Sequence, residues 1–245
     1  MVCQSLAVVA ARRASMLGGM KLVAIETAHP PGSLATLDTH AGAAPAVTPL
    51  MLPEGERTAR SLAPALHKLL QQSGWRLEQL DAVAVTVGPG SFTGLRLGVT
   101  SAKALAYAAA AVCVPVNTLA VLAAQAGGAA GWAVLDAHRG ELFAAPFAGP
   151  GLTGEVEILA EAAWLGRLAE GDTVTGPVLG RLRDRLPPGV TSADPADWLP
   201  KAETVAKLAT AAVEAGDTVS PFELLPDYYR PSAAEEKLLG GDAAS

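Results

Sequence analysis

The first regular stretch opens at Met20, where Leu22–Thr27 (LVAIET) is an apolar run of strand length. Pro30, Pro31 and Gly32 turn the chain, and Ser33–Asp38 (SLATLD) alternates apolar and polar positions as a returning strand. Pro45–Leu52 is expected at a sheet edge, because Pro49 lacks the donor that a central strand needs. A helix is predicted over Glu54–Ser73, with Leu62, Leu66, Leu69 and Leu70 on one face and Glu54 and Glu56 in its first turn. Pro64 interrupts that pattern and predicts a kink or a later start. Asp81–Val87 (DAVAVTV) is continuously apolar, as in a strand buried on both faces. A glycine-rich loop, TVGPGSFTGLRLG, leads into a helix expected to begin near Leu95. Val114–Val116 and the helical pattern of Thr118–Ala126 complete a βαβα alternation, which argues for an α/β layer.

The second half echoes the first. Gly127–Gly131 is the expected boundary, dividing the chain into lobes at 20–130 and 131–245. Trp132–Asp136 and Glu141–Phe147 then form a second predicted hairpin. Each hairpin carries an acid near the end of its first strand, Glu26 or Asp136, with a histidine, His29 or His138, two or three residues later. Two such hairpins opening two halves suggest an internal duplication. Further helices are expected over Glu161–Glu170, Val178–Leu186 and Ala202–Gly216, the last with Val205, Leu208, Ala212 and Val213 on one face. The tail LPDYYRPSAAEEK is expected to lie along the surface. Met1–Gly19 reads as a disordered extension or a start placed too early, because Arg12 and Arg13 follow its short apolar stretch, whereas a signal peptide carries its charge first.

Composition narrows the class. Half of the 245 residues are hydrophobic and 17% are charged, which is enough for a substantial core. Aromatic residues are only 4%, so that core must rest on Ala, Val and Leu. Two cysteines exclude a disulfide framework or a cysteine zinc site and fit a reducing cytoplasm. No apolar run approaches the roughly 18 residues that span a bilayer. The net charge of −6 is uneven: Met20–Ala130 holds seven Lys and Arg against six Asp and Glu, and Gly131–Ser245 holds nine against eighteen. An acidic half is a poor polyanion surface, so any RNA contact is expected to come through a partner.

Candidate chemistry centres on the glycine loop. Backbone N–H groups over Gly88, Gly90, Ser91, Thr93 and Gly94, together with the following helix N-terminus, would present donors to an anion. The loop lacks the Lys-Ser/Thr pair of a P-loop, and Gly88-x-Gly90-xxx-Gly94 misses the dinucleotide spacing by one residue. An anion cradle and a structural turn both remain open, and Ser91 sits in no nucleophile elbow. His29, His40, His67 and His138 form no paired metal motif. Gly98, Ala102, Ala106 and Ala110 make a strip of small residues that lets another helix approach. That strip fits packing within the chain as well as a partner face built with Leu62, Leu66, Leu69 and Leu70.

Six segments carry a resemblance: MKLVAIETA, LPEGERTARSLAPALHKLL, VAVTVGPGSFTGLRLGVTSAKALAY, VPVNTLAVLA, VLDAHRGELF and LLPDYYRPSAAE. In order and spacing over Met20 to about Glu236 they resemble the TsaB (YeaZ) family. The resemblance implies an actin/hexokinase-like α/β fold of two hairpin-led lobes. It implies a role in forming N6-threonylcarbamoyladenosine in tRNAs that read codons beginning with A. It further implies a TsaD-type catalytic partner, a TsaE-type ATPase, contact with tRNA only through the complex, and no catalytic or metal-binding residue in this chain. ATP or ADP is expected, if anywhere, at a subunit interface, and the chain alone is expected to self-pair through its leucine face. The family commonly has Asp-Thr-Ser or Asp-Thr-Ala at the first hairpin, where this chain has Glu26-Thr27-Ala28. Glu26 is therefore assigned no catalytic role. The rival reading is an autonomous ATPase or small-molecule kinase of the same superfamily.

Overall fold

The structure, a computed structural model, describes residues 19–40, 45–128 and 130–230. The extension before Gly19 and the end of the tail lie outside the described residues. Among the described residues there are eleven strands: β1 Lys21–Glu26, β2 Ser33–Asp38, β3 Ala46–Met51, β4 Ala82–Gly88, β5 Val112–Asn117, β6 Ala130–His138, β7 Glu141–Ala148, β8 Gly151–Leu152, β9 Glu157–Ala160, β10 Thr173–Thr175 and β11 Thr191–Ser192. The α-helices are α1 Thr58–Gln72, α2 Phe92–Ala109, α3 Thr118–Ala126, α4 Glu161–Leu165, α5 Leu179–Leu182 and α6 Ala202–Ala215.

Both sheets follow one plan. In the first, the order is β3-β2-β1-β4-β5, with β1 antiparallel to β2 and parallel to β4. In the second, the order is β11-β10-β6-β7-β8, with β6 antiparallel to β7 and parallel to β10, while β9 also pairs with β7. The hairpin-led repeat read from the sequence is thus a repeat of topology, arranged as the two-lobed actin/hexokinase-like fold. β4 is buried along its whole length, as its unbroken apolar run requires. β3 is the edge strand that carries Pro49.

Several elements differ from expectation. α1 starts at Thr58, so Glu54 and Glu56 lie in the preceding turn, where Gly55 takes a φ of 77° and no helix can begin. Pro64 sits on the exposed side of α1 and is carried within the helix, so the carbonyl it cannot bond is on the water side. α2 begins at Phe92 and not near Leu95, because the Ser91 side chain caps it by accepting from Gly94 N at 3.3 Å. α4 is one short turn, well short of Glu161–Glu170, whereas α5 continues into a 3-10 turn over Arg183–Arg185 and so nearly fills the predicted Val178–Leu186.

The lobes exchange helices. α3 buries Leu119, Leu122 and Ala123 among Ala133, Leu135 and Phe147 of the second sheet. α6 crosses in the other direction, burying Ala202, Val205, Ala206 and Ala209 on Leu22, Ala24, Ala82 and Val112 of the first. By packing, α6 belongs to the first lobe although it lies in the second half of the chain. Its first turn has no cap of its own; Ser33 Oγ of β2 accepts from Ala202 N at 2.9 Å.

Leu62, Leu66 and Leu69 face inward with Ala102 and Ala106 in the core of the first lobe, and Leu70 packs at its edge. Replacing Leu69, which is fully buried, by Ala should cost about 2–5 kcal/mol of unfolding free energy in urea titration. Replacing exposed His67 on the same helix should change it by less than about 0.5 kcal/mol.

Candidate functional site

A cleft of about 940 Å³ lies between the lobes. The first hairpin tip (Ala28–Pro30) and the glycine loop line one side, and the second tip (Ala137–Arg139) with Pro177, Val178 and Arg181 lines the other. Asp227–Arg230 of the tail line it as well: the segment lies along the surface, as expected, and its course there is the rim of the cleft.

Each glycine of the loop is occupied by a contact with the protein itself. A Cβ on Gly94 would overlap the carbonyl oxygen of Thr27, and one on Gly98 would overlap the Thr27 hydroxyl. Thr27 Oγ1 in turn donates to the Gly94 carbonyl at 2.8 Å. A Cβ on Gly90 would come within 2.6 Å of the Ala28 carbonyl, which accepts from Ser91 N at 2.8 Å. Gly88, at φ 140°, leaves room for the backbone carbonyl of Asp227. Of the expected loop residues, Ser91 spends its hydroxyl on the α2 cap, and Thr93 is exposed at the cleft. The small-residue strip has the same explanation. Gly98, Ala102 and Ala106 let α2 press onto its own sheet, so neither they nor Leu62, Leu66 and Leu69 form the partner face expected from the sequence.

The acids of the two hairpins do matching work. Glu26 Oε1 accepts from Ala28 N at 2.7 Å and His29 N at 3.3 Å, and Asp136 Oδ1 accepts from His138 N at 2.8 Å. Both carboxylates therefore hold a turn by taking the amide two residues on. Glu26 is fully buried, and burial pushes its carboxyl up to about 8, against the lowering effects of those two amides and of the Thr86 hydroxyl. Glu26 and Thr86 are neighbours across β1 and β4, yet Glu26 Oε2 and Thr86 Oγ1 fall outside hydrogen-bonding geometry and each lacks a partner. Glu26 is thus a buried acid whose Oε1 is taken up by its own turn.

Charge on the far wall is internally matched. Arg181 pairs with Glu161 and lies 3.7 Å from Asp136, while Arg185 pairs with Glu161 at 2.9 Å. These arginines hold the Glu161 carboxyl below its ordinary range. His29 Nδ1 donates to the Pro30 carbonyl at 2.7 Å, and burial lowers its pKa. His40 and His67 stand apart from the cleft. No group of three metal-ligating side chains occurs among the described residues.

One feature was missed in the sequence. Gly176-Pro177 follows β10 as Gly88-Pro89 follows β4, with φ of 132° at Gly176 and its Cβ position filled by the Val134 carbonyl. The two Gly-Pro turns contribute to opposite walls of the cleft. The echo of TVGPG in VTGPV was the available signal.

Gly94→Ala should lower stability by about 1–3 kcal/mol, read as a fall in the thermal midpoint, because a backbone carbonyl must move to admit the methyl. Glu26 holds its proton in the fold up to about pH 8 but loses it near 4.5 when unfolded. Its stabilising contribution is complete below about 4.5, declines as pH rises, and is gone above about 8. Unfolding free energies from urea titration across that window should decline more steeply in the parent than in Glu26→Gln, by up to about 1.4 kcal/mol per pH unit.

A family model for TsaD, tRNA N6-adenosine threonylcarbamoyltransferase, matches residues 54–161, from the turn before α1 to the start of α4. The tRNA threonylcarbamoyladenosine biosynthesis protein TsaB of Escherichia coli is 30% identical over 90% of this chain and 99% of its own length. TsaB of Bacillus subtilis is 38% identical over 33% of this chain and 36% of its own. Among solved structures, YeaZ from Pseudomonas aeruginosa superposes with a TM-score of 0.70 at 27% identity, covering 85% of this chain and 99% of that one. With a relative matched over nearly its whole length and the same fold, the chain belongs to the TsaB (YeaZ) family.

Proposed function

We propose that the chain is a noncatalytic subunit for N6-threonylcarbamoyladenosine modification of tRNAs reading codons that begin with A. It acts by binding and activating a TsaD-type catalytic subunit together with a TsaE-type ATPase. The end-to-end similarity to E. coli TsaB carries this reading. The site is consistent with it: the loop glycines are spent on the protein's own backbone, and the hairpin acids are spent on turns. The acidic second half favours a tRNA contact made through the partner.

The partner face on this reading is the outer side of α1 and α2, where Ala63, His67, Thr100 and Ala104 are exposed. Alone, the chain would cover this face by self-pairing. Any ATP or ADP would sit at a subunit interface. The competing reading, an autonomous ATPase or kinase, draws on the size of the interlobe cleft.

Reconstitution with purified TsaD-type and TsaE-type proteins should form the modified nucleoside only when this chain is present; full-rate modification without it would exclude the subunit role. Ala63→Arg and Ala104→Arg should abolish co-elution with the TsaD-type protein while leaving the thermal midpoint of the isolated chain within about 0.5 kcal/mol in stability terms. Calorimetry of the lone chain with ATP and magnesium should give no turnover heat, and sustained hydrolysis would favour the ATPase reading.

A further inference from the structure

The end of the described chain crosses from one lobe to the other in a few residues. Leu224 is buried in the core of the first lobe, and its carbonyl accepts from Lys103 Nζ at 3.1 Å. Asp227 N donates to the Val87 carbonyl at 2.8 Å, and its own carbonyl fills the space left by Gly88. The ring of Tyr228 lies 4.9 Å from that of Phe92, and its hydroxyl accepts from Arg96 Nε at 3.0 Å. The next two residues reach the other lobe. Tyr229 packs on Phe143 of β7 in the second core, while its hydroxyl reaches back to accept from Asn117 Nδ2 at 3.0 Å. Arg230 donates to the Ala137 carbonyl at 2.6 Å and pairs with Glu141, fastening to both sides of the second hairpin tip.

We propose that Asp227–Arg230 is a latch that sets the angle between the lobes, with the glycine loop as its seat on the first lobe and the second hairpin tip as its catch on the other. The crossed helices α3 and α6 join the lobes through their cores, and the latch joins them again at the cleft. A two-lobed body tied at its joint alone can open and close, and one tied also across its cleft is held at one angle. Because the half-buried Tyr229 packs against the second core and its hydroxyl is bonded to Asn117 at the end of β5, widening of the cleft acts on the Asn117 bond or on the ring contact with Phe143. Arg230 adds a charged bond at the same place. Each such contact shifts a closed-to-open equilibrium by up to about tenfold.

The test uses the full chain with Cys3→Ser and spin labels at Gln72 and Arg183, exposed positions at the end of α1 and just after α5, diluted in unlabelled chain so that only distances within one molecule are read. Cys113 is fully buried and is left in place. Electron–electron dipolar distances should form one narrow distribution in the parent. In Arg230→Ala and in Tyr229→Phe they should gain a second, longer population, with the open fraction raised by up to about tenfold. Phe222→Ser, which removes an exposed ring that touches Tyr107 and not the second lobe, should match the parent. Distributions of both latch variants superimposable on the parent would overturn the proposal. If Arg230→Ala fails to fold, Tyr229→Phe, which removes one oxygen atom, decides the matter alone.

Discussion

The backbone of Thr27 rests directly on that of Gly94, with the Thr27 hydroxyl donating to the Gly94 carbonyl at 2.8 Å. A strand end and a helix approach this closely only where the helix has no side chain, and Gly94 and Gly98 supply one turn of such a surface. The contact presses the N-terminus of α2 against the end of β1. It brings the glycine loop within reach of the Ala28 carbonyl and leaves the Gly88 backbone open to the returning tail. Hairpin tip, glycine loop and tail are therefore stacked on one another, each placed by the one beneath. Side chains at either glycine would separate all three.

The duplication is strict in the sheets and loose in what covers them. Both tips are held by an acid that takes the amide two residues on, and both parallel strands end in a Gly-Pro turn at the cleft. Between the second hairpin and α6 the helices are short, whereas α1 and α2 run for 15 and 18 residues. The long helices α1, α2 and α6 all pack on the first lobe. The burial of Glu26 and the exposure of Asp136 carry the same divergence down to a matched pair of acids.

The strands of the first lobe and the two hairpins were legible because continuous apolar runs such as Asp81–Val87 have few ways to be buried, whereas the short strands β8 to β11 carry too few residues to show a period. The helix faces were legible too, since periodicity picks out Leu62, Leu66 and Leu69 as one side of α1. What that side meets was not: a small-residue strip reads alike whether it touches its own sheet or another subunit, and here it touches its own. Helix starts were set by backbone requirements at Gly55 and Ser91 that apolar spacing does not register. The tail's path over the cleft was not legible, because an irregular, mixed-polarity segment carries no period. Its seat is written instead at Gly88, more than a hundred residues earlier, where a missing side chain makes room for the Asp227 carbonyl.

The placement of α6 has a consequence for how the molecule is made. One face of the first sheet, bearing Leu22, Ala24, Ala82 and Val112, is covered by a helix that lies far later in the chain, and the first bond of that helix is to Ser33. During synthesis this sheet can assemble long before its cover emerges, because every strand it needs is complete by Asn117. An apolar surface then faces the surrounding water while roughly a hundred more residues are added, several seconds at typical elongation rates. The first lobe to be translated is the last to be finished.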